Sequence, residues 1–265
     1  MSQFGGKRFI FCVSPGRSGS AYLAKLLGSC HDVVAEHEAD PVGNGSAMQQ
    51  FLRGNEAAMR RVASRKVAKL RHASACRRAY VETNHCFIKG FGWFLPNMMG
   101  QESFVLVTLR RDEENVLSSL TRVGCTPLTV RGRRWMMTPE KANPCLPPPR
   151  FLLSPQWDYR LLWWLRAVMN FVLRRFGVRL WEFLRKRYLA RYELACTRWY
   201  IRETYAEAER FLRTFPGVQS FEVDLAELND DARVQALLAN LGLQAGPETA
   251  TIVGVSRNTK EGKIC

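Results

Sequence analysis

The chain has 265 residues, of which 46% are hydrophobic, so it is long enough to bury a sizeable core, and its composition excludes overall disorder. Its formal net charge of +15 indicates anionic partners, such as a nucleotide, an acidic acceptor, nucleic acid or a membrane surface. No apolar run approaches the ~20 residues that span a bilayer, and no signal peptide is recognisable, which favours a cytoplasmic protein. The eight cysteines are scattered, so we expect free thiols, with no metal site and no disulfide framework.

The first motif is a loop of small residues between a predicted strand and a predicted helix. Residues 9–13 are apolar and rich in aromatic and β-branched side chains, which predicts a buried strand of a parallel sheet. From residue 20 onward, leucines recur at the spacing of an amphipathic helix. The turn between them, residues 14–20, combines glycine and serine with Arg17. Such a turn aims backbone N–H groups and a helix N-terminus at an anion, but the lysine of a Walker A loop is missing after Gly19.

A second predicted strand, residues 33–35, is followed by polar side chains at the strand end where open α/β sheets bind ligands. His37 and Glu38 are both suited to remove a proton from an acceptor hydroxyl, and we favour Glu38, with Glu36 as a further alternative. The competing interpretation is a solvated loop whose acids balance nearby cations.

The next segments are a basic helix and a third strand. Residues 48–79 have a helical pattern with many cations, which is typical of a solvated face and less so of an acceptor-binding surface. Residues 80–85 are predicted to form a strand entering a polar turn. There Glu82 would line an acceptor pocket, orient a neighbouring base, or pair with an arginine beneath the sheet. Residues 87–99 are predicted to be an apolar helix or turn that packs on the sheet.

The second motif begins with a strand predicted over residues 104–109 and continues into a helix whose first turn is acidic. An arginine at the strand end is followed eight positions later by a serine, in two registers: Arg111 with Ser119, or Arg110 with Ser118. Adjacent helical positions differ by about 100°, so only one serine of the pair can face a given ligand. An arginine fork and a serine hydroxyl together suit a phosphate group.

The second half of the chain is less specific. Residues 123–155 are rich in Gly, Pro and Arg, which is poor material for a core and predicts a long loop or lid that sets substrate choice. Residues 157–173 form a predicted apolar helix in which Trp164 is expected in the core. Residues 174–213 continue as basic, aromatic helix broken near Gly177. Such a helix packs on the sheet by its apolar face or, as the alternative, lies on an anionic membrane.

Taken in order, these features resemble the PAPS-dependent sulfotransferases, which use 3′-phosphoadenosine 5′-phosphosulfate. Residues 17–20, Arg-Ser-Gly-Ser, are similar to the 5′-phosphosulfate loop of carbohydrate sulfotransferases. Residues 37–41 resemble a His-Glu-Pro-like stretch, and residues 80–84 a Tyr-x-Glu-x-Asn stretch, of bacterial members. A last predicted strand, residues 218–223, leads into Asp224-Leu225, which is similar to the Glu-Asp-Leu turn of the family.

The second motif resembles the family's 3′-phosphate segment. Aligning its Arg-Asp pair favours Arg111 with Ser119, and Glu113 stands where the family usually has proline. The cofactor-binding residues that the resemblance implies are Pro15, Gly16, Arg17, Ser18, Gly19, Ser20, Ala21, Tyr22, Arg111, Ser119 and Lys260. Lys260, with Arg257 beside it, lies in a basic tail that either covers the 3′-phosphate or is disordered.

The resemblance implies an α/β fold: a three-layer P-loop-type domain with a mainly parallel sheet flanked by helices. We expect residues 1–265 to form this single domain, with residues 123–155 as an insert. The implied reaction is an in-line displacement that moves the sulfuryl group from PAPS to an acceptor hydroxyl, or alternatively an amine. Glu38 or His37 acts as base, Arg17 stabilises charge, no metal takes part, and 3′-phosphoadenosine 5′-phosphate is released.

The expected partners are the nucleotide donor and an acceptor that is a sugar, a lipid-linked glycan, a peptide or a small metabolite. Two other classes share some of these features. A P-loop kinase has the same strand–loop–helix opening but needs the Walker lysine. A basic nucleic-acid-binding α/β module explains the charge but not the paired phosphate motifs, so nucleic acid is not the expected partner.

Overall fold

The computed structural model describes residues 7–73 and 77–254, and its core is a five-stranded, all-parallel sheet. The strands are β1 (Arg8–Val13), β2 (Val33–His37), β3 (Ala79–Thr83), β4 (Phe104–Arg110) and β5 (Gln219–Asp224), in the order β2-β3-β1-β4-β5. All five strands expected from the sequence are present, and the predicted α/β class is confirmed.

Helices connect these strands and cover both faces of the sheet. They are α1 (Ser20–Gly28), α2 (Ser46–Leu52), α3 (Ala57–Ala73), α4 (Leu95–Met99), α5 (Glu113–Arg122), α6 (Val130–Trp135), α7 (Pro155–Tyr188), α8 (Ala190–Thr214), α9 (Asp231–Leu241) and α10 (Thr249–Ile252). Short 3₁₀ helices lie at Phe91–Trp93, Gln101–Ser103 and Leu225–Asn229. In the described part of the chain, no helix is both long and apolar enough to cross a bilayer.

The strand side chains divide the core into two layers of hydrophobic contacts. Successive side chains of a strand point to opposite faces, so Phe9 and Phe11 join one buried cluster while Ile10 and Cys12 join the other. The first cluster is completed by residues of α2, α3, α5 and α8, and the second by residues of α1, α9 and α10. The three layers agree with the predicted P-loop-type architecture.

The strand order reverses at β1, and this reversal positions the functional site. From β1 the chain builds β2 and β3 on one side, and it then crosses to build β4 and β5 on the other. β1 therefore pairs with both β3 and β4. In open α/β sheets, ligands bind beyond the carboxyl ends of the strands at such a switch point. The loop of residues 14–19 lies there.

The segment 123–155 is better packed than its composition indicates. It contains α6, and Leu128, Met136 and Met137 are buried, the latter two in the main cluster. Lys141 is also buried and pairs with Glu207 of α8 at 2.6 Å. The expectation of poor core material is therefore wrong for residues 126–141, because long-range partners on α8 and the main cluster cover this stretch.

The long C-terminal helical region is broken close to Gly177, as predicted. The backbone of α7 leaves helical geometry at Arg174 (φ 48°, ψ −127°), and a further break at Leu189 separates α7 from α8. Gly177 itself permits a close approach, because a Cβ atom there would lie 2.1 Å from the Met169 carbonyl oxygen. The two arms of α7 therefore fold against each other as a hairpin. Trp164 is 63% exposed, so its predicted core position is wrong.

Candidate functional site

A cavity opens at the carboxyl edge of the sheet, where residues from both sequence motifs converge. One wall is formed by loop and first-turn residues between positions 15 and 21, together with His37 and Glu38 at the end of β2. The opposite wall comes from α5, α6 and α8. The edge therefore combines a candidate anion-binding loop with candidate bases and an apolar wall.

Three residues of the loop have a left-handed backbone conformation. Gly16, Arg17 and Gly19 have φ angles of 81°, 57° and 85°. The positive φ at Gly19 favours glycine, and a Cβ atom there would also come within 2.4 Å of a methyl group of Leu225, which would have to move. The Ser18 hydroxyl donates to the Gly16 carbonyl at 3.1 Å, which closes the turn. These constraints fix the direction of the loop amides before any ligand arrives.

The loop contacts the second motif through Arg17. Its Nε donates to the Ser119 hydroxyl at 3.2 Å, and a guanidinium nitrogen of Arg111 donates to the Arg17 carbonyl at 2.6 Å. Arg110 instead donates to Glu222 on β5 at 3.1 Å and lies over the Tyr205 ring. The structure thus brings Arg111 and Ser119 to the loop, whereas Arg110 is engaged at the neighbouring strand.

Glu38 and His85 form a hydrogen-bonded pair in the cavity, with His85 Nδ1 2.8 Å from Glu38 Oε1. Burial, with a smaller effect of the Lys89 cation, lowers the pKa of His85 to about 4. Burial acts to raise the pKa of Glu38, but the His85 hydrogen bond and nearby positive charges outweigh it, so this pKa falls below its ordinary value. At neutral pH a neutral His85 therefore donates its Nδ1 proton to an ionised Glu38, because a carboxylate can only accept.

His37 lines the cavity at the end of β2 with an exposed side chain. Its Nδ1 lies 2.9 Å from the Thr83 hydroxyl of β3, which anchors the ring. His85 was not among the predicted site residues. The available signal was its position directly after β3, whose carboxyl end must lie beside that of β2 once the two strands pair in parallel.

Of the three alternatives for Glu82, the structure agrees with an ion pair beneath the sheet. Glu82 is fully buried and forms an ion pair with Lys66 of α3 at 2.8 Å, a lysine where an arginine was the expected partner. It also accepts from the Asn84 amide at 2.9 Å, and the Asn84 side-chain oxygen accepts from the backbone of Cys86 at 2.8 Å. This network holds the turn that carries His85.

Glu36, the further alternative for the base, has structural partners instead. Its carboxylate accepts from Lys69 at 2.8 Å and from the Tyr80 hydroxyl at 2.6 Å. Burial acts to raise its pKa, but these two donors outweigh the effect and lower it. Glu36 is therefore held on the α3 side of the sheet, away from the base position.

A buried lysine supports the loop from behind. Lys89 is fully buried, and its ammonium donates to the Tyr200 hydroxyl at 2.9 Å and to the Trp135 carbonyl at 2.7 Å. Tyr200 in turn donates to the Pro15 carbonyl at 2.7 Å. Burial lowers the pKa of Lys89 to about 8, so it remains mostly charged at neutral pH. The chain of contacts places a positive charge behind the loop, and sequence reasoning identified neither Lys89 nor Tyr200.

The remaining predicted ligands divide into three groups. Ser20 and Ala21 line the cavity at the start of α1. The Tyr22 hydroxyl donates to the Leu228 carbonyl at 2.8 Å, so this side chain is used to anchor the C-terminal part of the domain, and its predicted ligand role does not extend to the side chain. Lys260 and Arg257 lie outside the described residues.

The structure bears on the expectations of free thiols and of no metal site. The six cysteines in the described ranges are free thiols. Within the same ranges, Cys145, Glu203 and Glu207 bring three metal-ligating atoms within 4.8 Å of one another. The Lys141 ammonium lies 3.0 Å from Glu203 and 2.6 Å from Glu207, and the Arg210 guanidinium lies 2.7 Å from Glu207, so two side-chain cations balance the two carboxylates of this cluster.

Comparison with known proteins places the fold. No protein-family model and no curated protein matches the sequence. Among solved structures, the sulfotransferase domain from the curacin biosynthetic pathway matches 96% of this chain and 81% of its own, with a TM-score of 0.52 and 13% identity. A sulfotransferase from Alicyclobacillus acidocaldarius matches 92% of this chain and 85% of its own, with a TM-score of 0.46 and 15% identity.

The protein thus has a sulfotransferase-like α/β fold, and the predicted resemblance is confirmed at the level of the fold. The fold alone does not define the chemistry, which depends on the residues at the carboxyl edge.

Proposed function

We propose that this protein is a sulfotransferase that moves the sulfuryl group of PAPS to an acceptor hydroxyl, or alternatively to an amine. The observation that carries the proposal is the contact of Arg17 with Ser119, 102 positions apart in sequence, and with Arg111. Two separate phosphate-type motifs meet at one ligand-binding edge. The structural similarity to the curacin sulfotransferase domain supports the same activity.

The donor set of the site fits a polyanionic nucleotide. The loop offers backbone N–H groups in a fixed left-handed turn and the N-terminus of α1, and Arg17 adds a guanidinium. In the proposal these groups hold the 5′-phosphosulfate, while Arg111 and Ser119 hold the 3′-phosphate. PAPS supplies an activated sulfuryl group for in-line displacement. The Ser18 hydroxyl is already used within the loop, so its contribution is to loop shape.

The proposed base is Glu38, acting directly or through His85. The Glu38 hydrogen bond holds the proton of His85 on Nδ1, which leaves Nε2 as the ring atom able to accept a proton. Both groups have low pKa values in the protein alone. A bound anion near them raises both values and so increases their basicity. His37, at the rim of the same cavity, is the alternative base.

The acceptor wall favours a substrate with an apolar or aromatic group. It includes Leu120, Val123, Trp135 and Met136, with Arg131 as a cation among them. We infer that phenols and other aromatic alcohols are better acceptors than unsubstituted sugars. Release of 3′-phosphoadenosine 5′-phosphate from PAPS, measured with matched phenol and monosaccharide panels, tests this. Faster turnover with the sugars would overturn it.

Calorimetric titration with 3′-phosphoadenosine 5′-phosphate, ADP, ATP and AMP tests the donor. We expect preference for the 3′-phosphorylated nucleotide. Arg111→Ala should weaken its binding by roughly ten- to a hundredfold, because a charge-assisted contact to phosphate is lost, and should leave AMP binding unchanged. Arg110→Ala is the matched control and should have little effect. Preference for ATP with Mg²⁺ would indicate a kinase, and equal effects of the two substitutions would contradict the assigned register.

A further inference from the structure

Helix α7 exposes a continuous apolar stripe that the sheet does not use. In its first arm, exposed apolar residues recur from position 157 at i+4, i+7, i+8, i+14 and i+15, which is the spacing of one helix face. The opposite face of the same arm supplies Tyr159, Leu162 and Met169 to a buried cluster with α8. Packing within the protein therefore explains only one of the two apolar faces.

The stripe continues over the turn between the two arms. Beside Arg174, where the chain reverses, Phe171 is 84% exposed, and Val172 and Phe176 are exposed as well. We use the term α7 apolar face for the exposed apolar residues of this hairpin and of the loop before it. They are Phe151, Leu152, Leu153, Trp157, Leu161, Trp164, Leu165, Phe171, Val172, Leu173, Phe176, Val178 and Phe183.

The structure holds the start of this face in place. The carboxylate of Asp158 is buried and accepts hydrogen bonds from the backbone N–H groups of Phe151, Leu152 and Leu153, at 2.7, 3.1 and 2.7 Å. Leu152 and Leu153 nevertheless remain 67% and 59% exposed. A buried carboxylate thus fixes a loop that points leucines into solvent, so their exposure belongs to the ordered structure.

The charge of the hairpin indicates which kind of partner binds this face. Between Asp158 and Glu182 the helix has no acidic residue but five arginines, and Lys186 and Arg187 follow. A second copy of the chain, itself at +15, would bring like charges together across the face. An anionic surface complements the arginines, and exposed aromatic residues with cations beside them suit the headgroup region of a bilayer.

We propose that the α7 apolar face binds membranes that contain anionic phospholipids. The hairpin turn enters the headgroup region together with Trp157 and Trp164, and the exposed Arg174 and Arg179 contact lipid phosphates. α7 also packs on α6, where the Arg133 guanidinium lies 4.6 Å from the centre of the Trp163 ring. Because α6 carries Arg131 and Trp135 of the cavity wall, membrane binding would occur next to the helix that borders the site. The proposal does not depend on the proposed enzymatic activity.

Vesicle co-sedimentation of the full chain tests it. We expect at least roughly tenfold stronger partitioning onto phosphatidylcholine vesicles containing about 30% phosphatidylglycerol than onto pure phosphatidylcholine, with weakening as salt rises. The double substitution Trp164→Glu and Phe171→Glu should reduce partitioning at least tenfold while leaving the fold intact, since both side chains are exposed. Unchanged partitioning of this variant would overturn the proposal.

Two control variants separate the surface from general effects. Met98→Glu places a charge at an exposed apolar residue of α4, and Arg61→Glu reverses a charge on α3; neither should reduce partitioning more than about twofold. In the unsubstituted protein, brominated phosphatidylglycerol should quench tryptophan fluorescence. Absence of both quenching and partitioning would overturn the proposal. In that case, a self-association removed by the double substitution in sedimentation velocity would identify a second copy as the occupant.

Discussion

The carboxyl edge of the sheet and the α7 hairpin differ in which side chains they bury and which they expose. Beneath the edge, charged groups are buried and each has a close partner, as with Lys66 and Glu82 at 2.8 Å or Lys89 and Tyr200 at 2.9 Å. At the hairpin, large apolar groups such as Phe171 remain in solvent.

The two regions therefore contribute to the free energy of the protein in different ways. A buried charge that loses its partner is strongly destabilising, so the geometry at the edge is rigidly specified before substrate binds. An exposed apolar surface has no such constraint, and its hydrophobic free energy is released only when another surface covers it. The edge is suited to chemistry that needs fixed positions, and the hairpin to association.

Replacing the proposed base should give the largest effect. Glu38→Gln keeps the size of the side chain but removes its charge and its ability to take a proton. We expect turnover of PAPS with an acceptor to fall by about 10²–10⁴-fold, the usual contribution of a general base. Calorimetry should show nearly unchanged affinity for 3′-phosphoadenosine 5′-phosphate. Wild-type turnover in this variant would move the base to His37.

Breaking the buried ion pair should mainly affect stability. Lys66→Met leaves Glu82 uncompensated in the core, and we expect the free energy of unfolding to fall by about 3–5 kcal/mol in urea titrations. Lys69→Met, on the same helix, is the matched control. Its partner Glu36 is partly exposed, so the loss there should stay below about 1 kcal/mol. Similar losses of stability in both variants would contradict the expectation that the buried ion pair is the more important of the two.

The largely buried His85 predicts a pH dependence of stability. The pKa of His85 falls from 6.5 to about 4 on folding, so the unfolded chain binds the proton more tightly. The free energy of unfolding should therefore decrease as pH falls from about 6.5 to 4, by up to roughly 3 kcal/mol relative to His85→Asn. Urea titrations of both proteins across this range measure the difference. If the free energy of unfolding changed with pH in the same way in both proteins, the pKa of His85 would not be lowered by folding.

The smallest effect is expected at the exposed face. Phe171→Ala removes a side chain that is 84% exposed, so the free energy of unfolding should change by less than about 0.5 kcal/mol. Gly177→Ala, in the other arm, should destabilise by about 1–3 kcal/mol, because a methyl group would collide with the Met169 carbonyl. Thermal unfolding of the two variants compares them. A large loss in Phe171→Ala would show that the face is already covered.

Local patterns in the sequence were sufficient to predict the elements that frame the site. β1, the following glycine- and serine-rich loop, α1, β4 and α5 all have boundaries close to those expected. Asp112 caps α5 by accepting from the Asn115 N–H, as an acidic first turn indicates. Periodicity, capping and turn chemistry depend on residues near in sequence, so they can be interpreted without a tertiary structure.

The pairings at the site could not be predicted in this way. The sequence placed Glu82 in a strand but did not identify Lys66 as its partner, and it did not indicate that His85 meets Glu38. Each pair joins different elements. The parallel register of β2 with β3 brings Glu38 and His85 together, and the packing of α3 on the sheet brings Lys66 to Glu82.

The sequence by itself thus determined the order of elements, the α/β class, the phosphate-type motifs and the strongly basic character of the chain. The tertiary structure decided which carboxylate faces the cavity, which stretch of residues 123–155 is buried, and which face of α7 is exposed. The physical reason is that burial depends on what packs against a residue from elsewhere in the chain. An apolar helix such as α7 has the same local pattern whether its second face meets protein or solvent.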